Sequence, residues 1–487
     1  MRRNKVQLSI LIIIVLLIGL VGGGYFGVVW AKKKITEDGS NITSLVDQDD
    51  DSDSSDKKGK EIKKINQAKE YIKNHYVEDV KTEDLTEGAI KGMLETLDDP
   101  YSSYMDAEMM KSFDQEIESS FEGIGAEVSM QDNKVTIVSP IKGSPAEKKG
   151  LRSNDKILKI DGKSIDGLDL NEAVDKIRGE KGSKVKLTIE RAGAKKPFDV
   201  ELTRADIPIE TVYPEIEKTN GKETGILKLT SFSENTADDF KKELKKMEDK
   251  QIDGLVIDVR GNPGGLLDSV DDILKEFVPK DKPYLQIEDR NGKKEKRYSE
   301  IDKKKSYPIT VLTDEGSASA SEILAVALKE TGYQTVGTKS YGKGSVQQAV
   351  PLDDESRMKL TLFKWLSPNG KSINKKGVKP SVKVKQPGYY YAHPVQIKKP
   401  LKYDQVSDDV KNIQVMLHGL DYKVDRQDGY FDKQTEKAVK AFQKEQKLKQ
   451  TGTVNKETGA AIETEVLKHV RDGKDDKQLE EGIKALY

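Results

Sequence analysis

The chain has 487 residues, a formal net charge of −1 and 34% charged residues. This length exceeds what one hydrophobic core accommodates, so several modules are expected, and the balanced charge gives no reason to expect nucleic-acid binding. The absence of cysteine excludes disulfides, thiolate metal sites and cysteine catalysis, and four scattered histidines argue against zinc, so we predict neither a metal nor a cofactor.

The first predicted element is a long apolar segment behind a cationic N-terminus. Residues 1–6 contain Arg2, Arg3 and Lys5, and residues 7–30 are apolar with only mild interruptions. A membrane-spanning helix needs about 20 apolar residues, whereas the apolar region of a cleaved signal peptide has only about 7–15. We therefore predict a single-pass transmembrane anchor at 7–30 with residues 1–6 in the cytoplasm. A cleaved signal peptide is the alternative.

Two segments of different character follow this anchor. Residues 31–60 are acidic and poor in apolar side chains, which is typical of a disordered stalk. From 61 to 118 apolar residues recur at helical spacing, as at Ile65 and Ile72, and predict a helical arm. The Asp-Pro-Tyr sequence at 99–101 ends the pattern, because proline does not continue a helix.

Short strands and turns are predicted from 119 to 206. Here Phe121, Gly123, Ile124 and Gly125 form a glycine-flanked apolar loop before a strand. The backbone N–H groups of such a loop can hold the terminal carboxylate of a peptide, while an edge strand pairs with the peptide backbone. The same residues also suit an ordinary turn and core, so both interpretations stay open at this point.

Strands and helices alternate from 207 to 388, which indicates an α/β layered domain. One buried-looking strand ends in a glycine-rich turn at 260–265, and another leads to a helix that begins near Ser319. Residues 389–402, which contain two prolines and three tyrosines, are interpreted as a linker.

Ser319 and Lys343 are the candidate nucleophile and base. A serine hydroxyl needs a neighbouring base, and no histidine lies between 121 and 388. A neutral lysine can serve if burial lowers its pKa from the ordinary ~10.4 to roughly 7–8. Glycines on both sides of Lys343 let the backbone crowd such a pocket. Gln347, four residues on, can orient the lysine through its amide oxygen without holding it charged.

An oxyanion hole requires backbone N–H groups aimed at the developing charge. The candidate sources are Ala320, at a helix N-terminus, and the glycine turn at 260–265. Each signal is weak alone, because Ser319 with Glu322 is also a capping box and a lysine between glycines is ordinarily a solvated loop. Their joint order within one α/β unit favours the catalytic interpretation.

Four sequence blocks give the chain a specific family resemblance: RGNPGG, EGSASASEI, YGKGSVQ and GKSINKKGVKPSV. From about 61 to 386 the chain resembles the C-terminal processing peptidases, also called tail-specific proteases. The resemblance implies a multidomain α+β protein with an α/β serine protease core of the ClpP/crotonase-like type. A helical arm and a PDZ domain, a small β-sandwich or barrel, precede this core.

The resemblance also implies a role for each candidate position. It makes Ser319 the nucleophile, Lys343 the general base and Gln347 the residue that supports the base. In this family the PDZ domain captures substrate C-termini and gates the protease, which implies protein substrates with exposed apolar tails. By analogy the helical arm implies a homodimer. The implied oxyanion amides are those of Gly264, Gly265 and Ala320.

A small helical module is predicted from 403 to 470. Periodicity alone indicates only a three-helix core, but its GYFD, AVKAFQ and TGTV segments resemble the peptidoglycan-binding domain of cell-wall hydrolases. That resemblance implies peptidoglycan as a partner and places the bulk of the chain outside the cytoplasm, at the cell membrane, although the lysines at 32–34 oppose this orientation. Residues 471–487 are a charged tail to which we assign no role.

The sequence therefore predicts a membrane-anchored serine endopeptidase that selects C-terminal tails through a PDZ domain and hydrolyses peptide bonds with a Ser–Lys dyad. One alternative is a catalytically silent scaffold that binds tails and the cell wall. A second is a conventional triad that recruits His75 or His393.

Overall fold

The computed structural model describes residues 54–107, 109–110, 113–114, 120–131, 134–354, 356–395 and 397–487. The predicted cytoplasmic N-terminus and transmembrane anchor lie outside these residues. Among the helices of the described ranges, none combines the length and the apolar character that crossing a bilayer requires.

The predicted helical arm consists of helices α1 (Ser54–His75) and α2 (Thr82–Glu95), followed by strand β1 (Ser103–Met105). Helix α1 begins inside the segment predicted as a disordered stalk, so the expected stalk boundary at residue 60 is wrong. Residues 54–60 read Ser-Ser-Asp-Lys-Lys-Gly-Lys and contain no proline that would block an earlier helix start. Apolar side chains of α1 are exposed, among them Ile62 at 62% and Ile65 at 49%.

The predicted PDZ domain is built on one antiparallel sheet with the strand order β3-β4-β5-β7-β8. Short strand β6 pairs with β5, and strands β2 and β9 form a separate two-stranded ribbon. The elements are β2 (Ser120–Gly123), β3 (Ala126–Gln131), β4 (Lys134–Pro140), α3 (Pro145–Lys148), β5 (Lys156–Ile160), β6 (Lys163–Ser164), α4 (Leu170–Ile177), β7 (Lys184–Glu190), β8 (Phe198–Thr203) and β9 (Ala205–Pro208).

The α/β core contains a six-stranded sheet with the order β10-β11-β12-β15-β16-β19. Strands β11, β12, β15 and β16 are parallel, and β12 and β15 are buried at every residue, as expected for strands covered on both faces. The strands are β10 (Val212–Thr219), β11 (Lys222–Leu229), β12 (Gly254–Asp258), β15 (Ile309–Thr313), β16 (Gln334–Gly337) and β19 (Val382–Lys383).

Three helices cover one face of this sheet with the largest hydrophobic cluster of the chain. A second sheet lies beside it, with the order β1-β18-β13-β14 and with β17 paired to β18. Strand β1 of the arm is thus part of the core. These elements are α5 (Thr236–Asp249), α6 (Leu267–Leu274), α7 (Ala320–Thr331), β13 (Leu285–Glu288), β14 (Lys294–Arg297), β17 (Ser345–Pro351) and β18 (Arg357–Leu366).

The C-terminal module packs helices α8 (Asp408–Gly419), α9 (Lys433–Glu445) and α10 (Lys456–Arg471) around one apolar core. The predicted linker contains a short 3-10 helix at Gly388–Tyr391, whose Tyr389 is buried in that core. The predicted charged tail folds as helix α11 (Lys477–Lys484), which covers the second face of the six-stranded sheet. The predicted multidomain α+β class is confirmed.

Candidate active site

Ser319 lies at the N-terminus of α7, after the loop that follows β15. The serine is 2% exposed and has φ 54° and ψ −109°, a backbone conformation that is uncommon for residues other than glycine. Such a conformation costs about 1–3 kcal/mol and persists where neighbouring contacts impose it. Here the Ser319 N–H donates to Glu322 Oε2 at 2.9 Å.

Glu322 connects the serine to the lysine loop. Its carboxylate is fully buried, and Oε2 accepts hydrogen bonds from the backbone N–H groups of both Ser319 and Lys343, the latter at 2.8 Å. Oε1 accepts from the Ser340 hydroxyl at 2.5 Å and from the Gly342 N–H at 2.7 Å. Burial raises the pKa of Glu322, and these four bonds oppose the increase. The Ser-x-x-Glu pattern predicts Glu322 only as a helix-capping residue and does not indicate this bridging position.

Lys343 is 1% exposed, and burial, reinforced by the charge of Lys359, lowers its pKa to about 7. The flanking glycines make the close packing of this loop possible. Gly342 has φ +101°, and a Cβ at that position would lie 2.9 Å from Gly377 N. A Cβ at Gly344 would lie 2.7 Å from Asn374 Cβ. The predicted buried lysine between two crowding glycines is therefore present in the structure.

Two residues of the arm that were not predicted as site residues act on the lysine. The Nζ atom of Lys343 lies 4.6 Å from the centroid of the Tyr101 ring. Asp99 accepts hydrogen bonds from the hydroxyls of Ser102 and Thr361, both at 2.6 Å, and its charge acts on the lysine to raise the lysine pKa. The Asp-Pro-Tyr sequence that ends α2 was the available signal, but it indicated only the end of a helix.

Gln347 is fully buried on β17. Its Nε2 donates to Ser345 Oγ at 2.8 Å and to Thr361 Oγ1 at 2.9 Å. Its Oε1 is buried and accepts no hydrogen bond from the residues that the structure describes. The predicted hydrogen bond from Lys343 to this amide oxygen is thus not formed in this arrangement, although the oxygen is able to accept one.

The glycine turn lies directly beside the N-terminus of α7. The Asn262 carbonyl accepts hydrogen bonds from the Ala318 N–H at 3.0 Å and from the Ser321 hydroxyl at 2.9 Å. Gly265 has φ +156°, and a Cβ there would lie only 1.9 Å from the Phe232 carbonyl oxygen, so no larger residue fits.

The predicted oxyanion amides differ in their hydrogen bonding. The Gly264 N–H already donates to Asn262 Oδ1 at 2.7 Å. The N–H groups of Gly265 and Ala320 make no hydrogen bond to another residue of the described ranges. The geometry therefore favours Gly265 over Gly264 as the partner of Ala320.

The histidines of the alternative triad lie elsewhere in the fold. His75 is exposed at the end of α1 and stacks on Tyr71 with 4.2 Å between ring centroids. The carbonyl of His393 accepts a hydrogen bond from Asn412 in the C-terminal module at 2.5 Å. Neither contact involves the serine or the lysine loop.

The loop predicted to bind a peptide carboxylate also has structural contacts. Ile124 is 2% exposed and belongs to the domain core. Gly125 has φ +71°, and its carbonyl accepts from the Ser144 hydroxyl at 2.8 Å. Phe121 and Gly123 lie on β2, where the guanidinium of Arg178 lies 5.3 Å from the Phe121 ring centroid. The Ile124 side chain therefore belongs to the core and the Gly125 backbone to the turn, which leaves backbone N–H groups as the feature available to a ligand.

Four family models match parts of the chain. The descriptions are peptidase family S41 at residues 223–384, PDZ domain at 123–202, putative peptidoglycan binding domain at 406–462, and activating protease CtpB N-terminal domain at 16–109.

Two curated relatives match along most of their length. The carboxy-terminal processing protease CtpB of Bacillus subtilis is 54% identical over 429 residues, which cover 88% of this chain and 89% of the relative. The carboxy-terminal processing protease CtpA of the same organism is 43% identical over 424 residues, which cover 87% of this chain and 90% of the relative. Among solved structures, the photosystem II D1 C-terminal processing protease is 27% identical with a TM-score of 0.40, covering 66% of this chain and 92% of that one.

Proposed function

Because the chain belongs to the carboxy-terminal processing serine proteases of peptidase family S41, we propose that Ser319 is its nucleophile and Lys343 its general base. The observation that carries the proposal is the burial of Lys343, which lowers its pKa to about 7 beside a loop that Glu322 joins to Ser319. A lysine with that pKa is about half neutral at pH 7, and only the neutral amine can accept a proton.

The reaction follows from these positions. The Lys343 amine removes the proton from Ser319 Oγ while Oγ attacks the substrate carbonyl carbon. The N–H groups of Gly265 and Ala320 stabilise the oxyanion of the tetrahedral intermediate. The lysine ammonium then donates its proton to the leaving amine, which leaves an acyl-enzyme on Ser319. Water, deprotonated by the same lysine, hydrolyses the ester.

Gln347 acts as a positioning residue in this scheme. Its Oε1 accepts no hydrogen bond from the described residues, and it is buried on the strand that follows the lysine loop. An amide oxygen stabilises an ammonium less than a carboxylate does, so it can orient Lys343 after proton uptake without holding the lysine protonated beforehand.

Catalysis is tested with single substitutions in the full-length chain. Ser319→Ala and Lys343→Ala are each expected to lower cleavage of a tail-bearing protein by at least about 10³-fold, with tail binding unchanged. Lys339→Ala, which removes an exposed lysine nearby, is the matched control. Wild-type protein that binds tails but never turns them over would instead support the silent scaffold.

Two further measurements separate the remaining alternatives. A serine-directed probe should add its mass to wild-type protein, and the addition should be lost in Ser319→Ala and strongly slowed in Lys343→Ala. A double alanine variant at His75 and His393 should retain full activity. Loss of activity in that variant would support the triad with histidine.

The PDZ domain is proposed to capture the C-terminal tails of protein substrates. Support comes from the strand β2, the turn at Gly125 and the resemblance of the domain, which the matched family model extends over residues 123–202. An apolar peptide with a free carboxylate should bind more tightly than the same peptide with an amidated C-terminus, as measured by calorimetry. Equal affinities would argue against carboxylate capture.

Membrane anchoring and localisation are further parts of the proposal. Residues 7–30 are apolar and long enough to span a bilayer, and the peptidoglycan-binding model matches residues 406–462. The protein is therefore expected in the membrane fraction, with its C-terminal module accessible to protease from the outer side and able to sediment with purified peptidoglycan. Deletion of residues 1–30 should release it.

Homodimerisation through the arm is proposed from the exposed apolar side chains of α1. Ile62, Ile65 and Ile72 are 62%, 49% and 41% exposed, and their spacing places them along one helix. Light scattering should show a dimer that Ile65→Glu combined with Ile72→Glu converts to a monomer. The matched exposed control is Lys64→Glu combined with Lys73→Glu.

A further inference from the structure

The C-terminal segment after α10 lies outside all the matched family models, yet it is integrated into the α/β core. Helix α11 covers the sheet face that α5, α6 and α7 leave open, and its contacts are close. A Cβ on Gly482 would lie 2.6 Å from Leu312 Cδ2, and Tyr487 Oη bonds Thr224 Oγ1 at 2.8 Å. The apolar cluster on this face contains Ile226, Val256, Leu312, Val336, Ile483 and Leu486.

Asp476, at the N-terminus of α11, makes the decisive contact. Its carboxylate accepts the Leu479 N–H at 3.0 Å and thereby caps the helix. The same carboxylate accepts Gln386 Nε2 at 2.7 Å and two guanidinium bonds from Arg260, Nη1 at 2.7 Å and Nη2 at 2.9 Å. The side chains of Asp476 and Arg260 are only 13% and 14% exposed, so the pair is shielded from solvent.

Arg260 is the first residue of the glycine turn. Its guanidinium also pairs with Asp258 at the end of β12, Nε at 2.9 Å and Nη2 at 2.7 Å. Asp258 fixes the start of the turn to the sheet, and Asp476 holds the same guanidinium from the outer side. The next N–H, that of Gly261, donates to Asp314 Oδ1 at 2.8 Å, which ties the turn to the loop before Ser319.

We propose that Asp476 is a positioning residue for the oxyanion turn, and that the C-terminal segment is thereby a working part of the protease. This inference rests on the proposed function, because it requires the Gly265 N–H to be an oxyanion donor whose position Asp476 maintains through Arg260. Two carboxylates accept hydrogen bonds from different edges of the planar guanidinium, which restricts its rotation. With one removed, Arg260 can tilt, and a shift of the turn by a fraction of an ångström misdirects the Gly265 N–H.

The test compares Asp476→Asn with Asp472→Asn in the full-length chain. Asp472 is an exposed aspartate in the same segment that does not contact Arg260, and it serves as the matched control. Asp476→Asn is expected to lower kcat about 10-fold with KM changed less than about twofold, because one weakened oxyanion donor costs about 10²–10³-fold at most. Asp476→Glu should restore part of kcat.

A peptide boronate supplies a readout that a purely structural role would not change. Its tetrahedral adduct on Ser319 places an oxygen where the oxyanion forms, so its affinity should fall by the same factor as kcat. Binding of a tail peptide to the PDZ domain should be unchanged. A lower Tm with unaltered kcat and boronate affinity at 25 °C would overturn the proposal.

A second variant covers the case in which Asp476→Asn does not fold. Gln386→Leu removes a donor that orients Asp476, and the Gln386 amide oxygen has no partner among the described residues, so little else is lost. A two- to threefold fall in kcat and boronate affinity supports the proposal, and unchanged values overturn it. Failure of the proposed function itself would be seen separately, as cleavage that survives Ser319→Ala.

Discussion

Two buried basic side chains lie in the loops around the nucleophile, and the fold shifts their pKa values in opposite directions. Arg260 is paired with the carboxylates of Asp258 and Asp476, which raise its pKa although burial acts to lower it. Lys343 is more deeply buried, and its pKa falls to about 7. Burial alone therefore does not determine which charge survives. The intrinsic basicity of the group and the position of nearby carboxylates determine it together.

Glu322 explains how a carboxylate can lie near Lys343 without fixing its charge. Both Glu322 oxygens accept hydrogen bonds from three backbone N–H groups and the Ser340 hydroxyl. Those donors compete with an ammonium for the same lone pairs. At Arg260, by contrast, the carboxylates face the guanidinium in bidentate geometry. Lowering the lysine pKa from 10.5 to about 7 costs on the order of 5 kcal/mol, which the rest of the core must offset.

The largest expected effect comes from replacing Lys343 with a second permanently charged group like that of Arg260. Lys343→Arg places a permanently charged group where the mechanism needs a neutral amine, because guanidinium does not deprotonate in proteins. We expect kcat to fall about 10³–10⁴-fold at every pH from 6 to 9. Single-turnover cleavage of a tail-bearing substrate measures the loss, with the exposed Lys339→Arg as the matched control. Activity within tenfold of wild type would rule out proton transfer by Lys343.

The second prediction replaces Glu322, the carboxylate that joins Ser319 to the lysine loop. Glu322→Gln keeps the shape but turns one acceptor into a donor that must face an N–H or O–H group. One unsatisfied buried donor pair costs about 1–3 kcal/mol. We expect a lower Tm together with a kcat reduced about 10²-fold, because Ser319 and Lys343 lose their common acceptor.

The control for this change is Glu315→Gln, an exposed carboxylate in the loop before Ser319. Comparing the loss of Tm with the loss of kcat in Glu322→Gln separates a structural role from a catalytic one. If Glu322→Gln lowers Tm while kcat remains at the wild-type value, the bridge supports the fold and does not align the reacting groups.

The third prediction concerns pH. The neutral fraction of Lys343 increases through pH 7, so kcat/KM should rise about tenfold per unit below that value and level off above it. Stability should follow the same group, because the unfolded lysine, with a pKa near 10.5, binds its proton more tightly than the folded one. The free energy of unfolding should therefore rise from about pH 7 to about pH 10.5, and this lysine should add no pH dependence below pH 7, where it is protonated in both states and its full destabilising cost remains.

Arg260 supplies the contrast in the same experiment, because its charge does not change in this range. Lys343→Met should abolish that stability slope, whereas Arg260→Lys should leave it in place. A kcat/KM that stays flat down to pH 5 would contradict the assignment of Lys343 as the base.

The sequence was sufficient for one of the two cation sites and not for the other. Lys343 was predicted because its glycine neighbours and its order after Ser319 form a local pattern, and the family resemblance on which its role rested is confirmed. Asp476, the second carboxylate partner of Arg260, lies 216 residues away in the chain, and only the folded topology brings it near. No periodicity or spacing reports such a contact.

Part of what was missed had a detectable signal. The tail contains Leu479, Ile483 and Leu486 at spacings of four and three residues, with Asp476 at the N-cap position, which is the pattern of a short amphipathic helix. The high charge of the segment hid it. For Asp99 and Tyr101 the Asp-Pro-Tyr sequence indicated only the end of a helix, because their contribution to the lysine site depends on β1 pairing with β18.

The smallest predicted effect is a shift in the pKa of Lys343 that leaves the lysine able to act as a base. Asp99 raises the pKa of Lys343 and Lys359 lowers it, so the two residues act in opposite directions on the same amine. Asp99→Asn should move the rising limb of kcat/KM to lower pH, and Lys359→Met should move it to higher pH. Each shift is expected to change kcat/KM at pH 6.5 only a few-fold, because each substitution removes a single charge among several influences on the lysine pKa.

The matched control for the carboxylate is Asp98→Asn, which neutralises an exposed neighbour that does not contribute to the lysine pKa. Asn at 99 retains an oxygen for the Thr361 hydroxyl, so the hydrogen bond at 2.6 Å keeps an acceptor while the charge is lost. Opposite displacements of the limb, with the plateau of kcat/KM unchanged, would identify the arm as a source of charge that tunes the base. Displacements in the same direction would mean that both substitutions act by loosening the pocket, because loosening admits water and raises the lysine pKa in either variant.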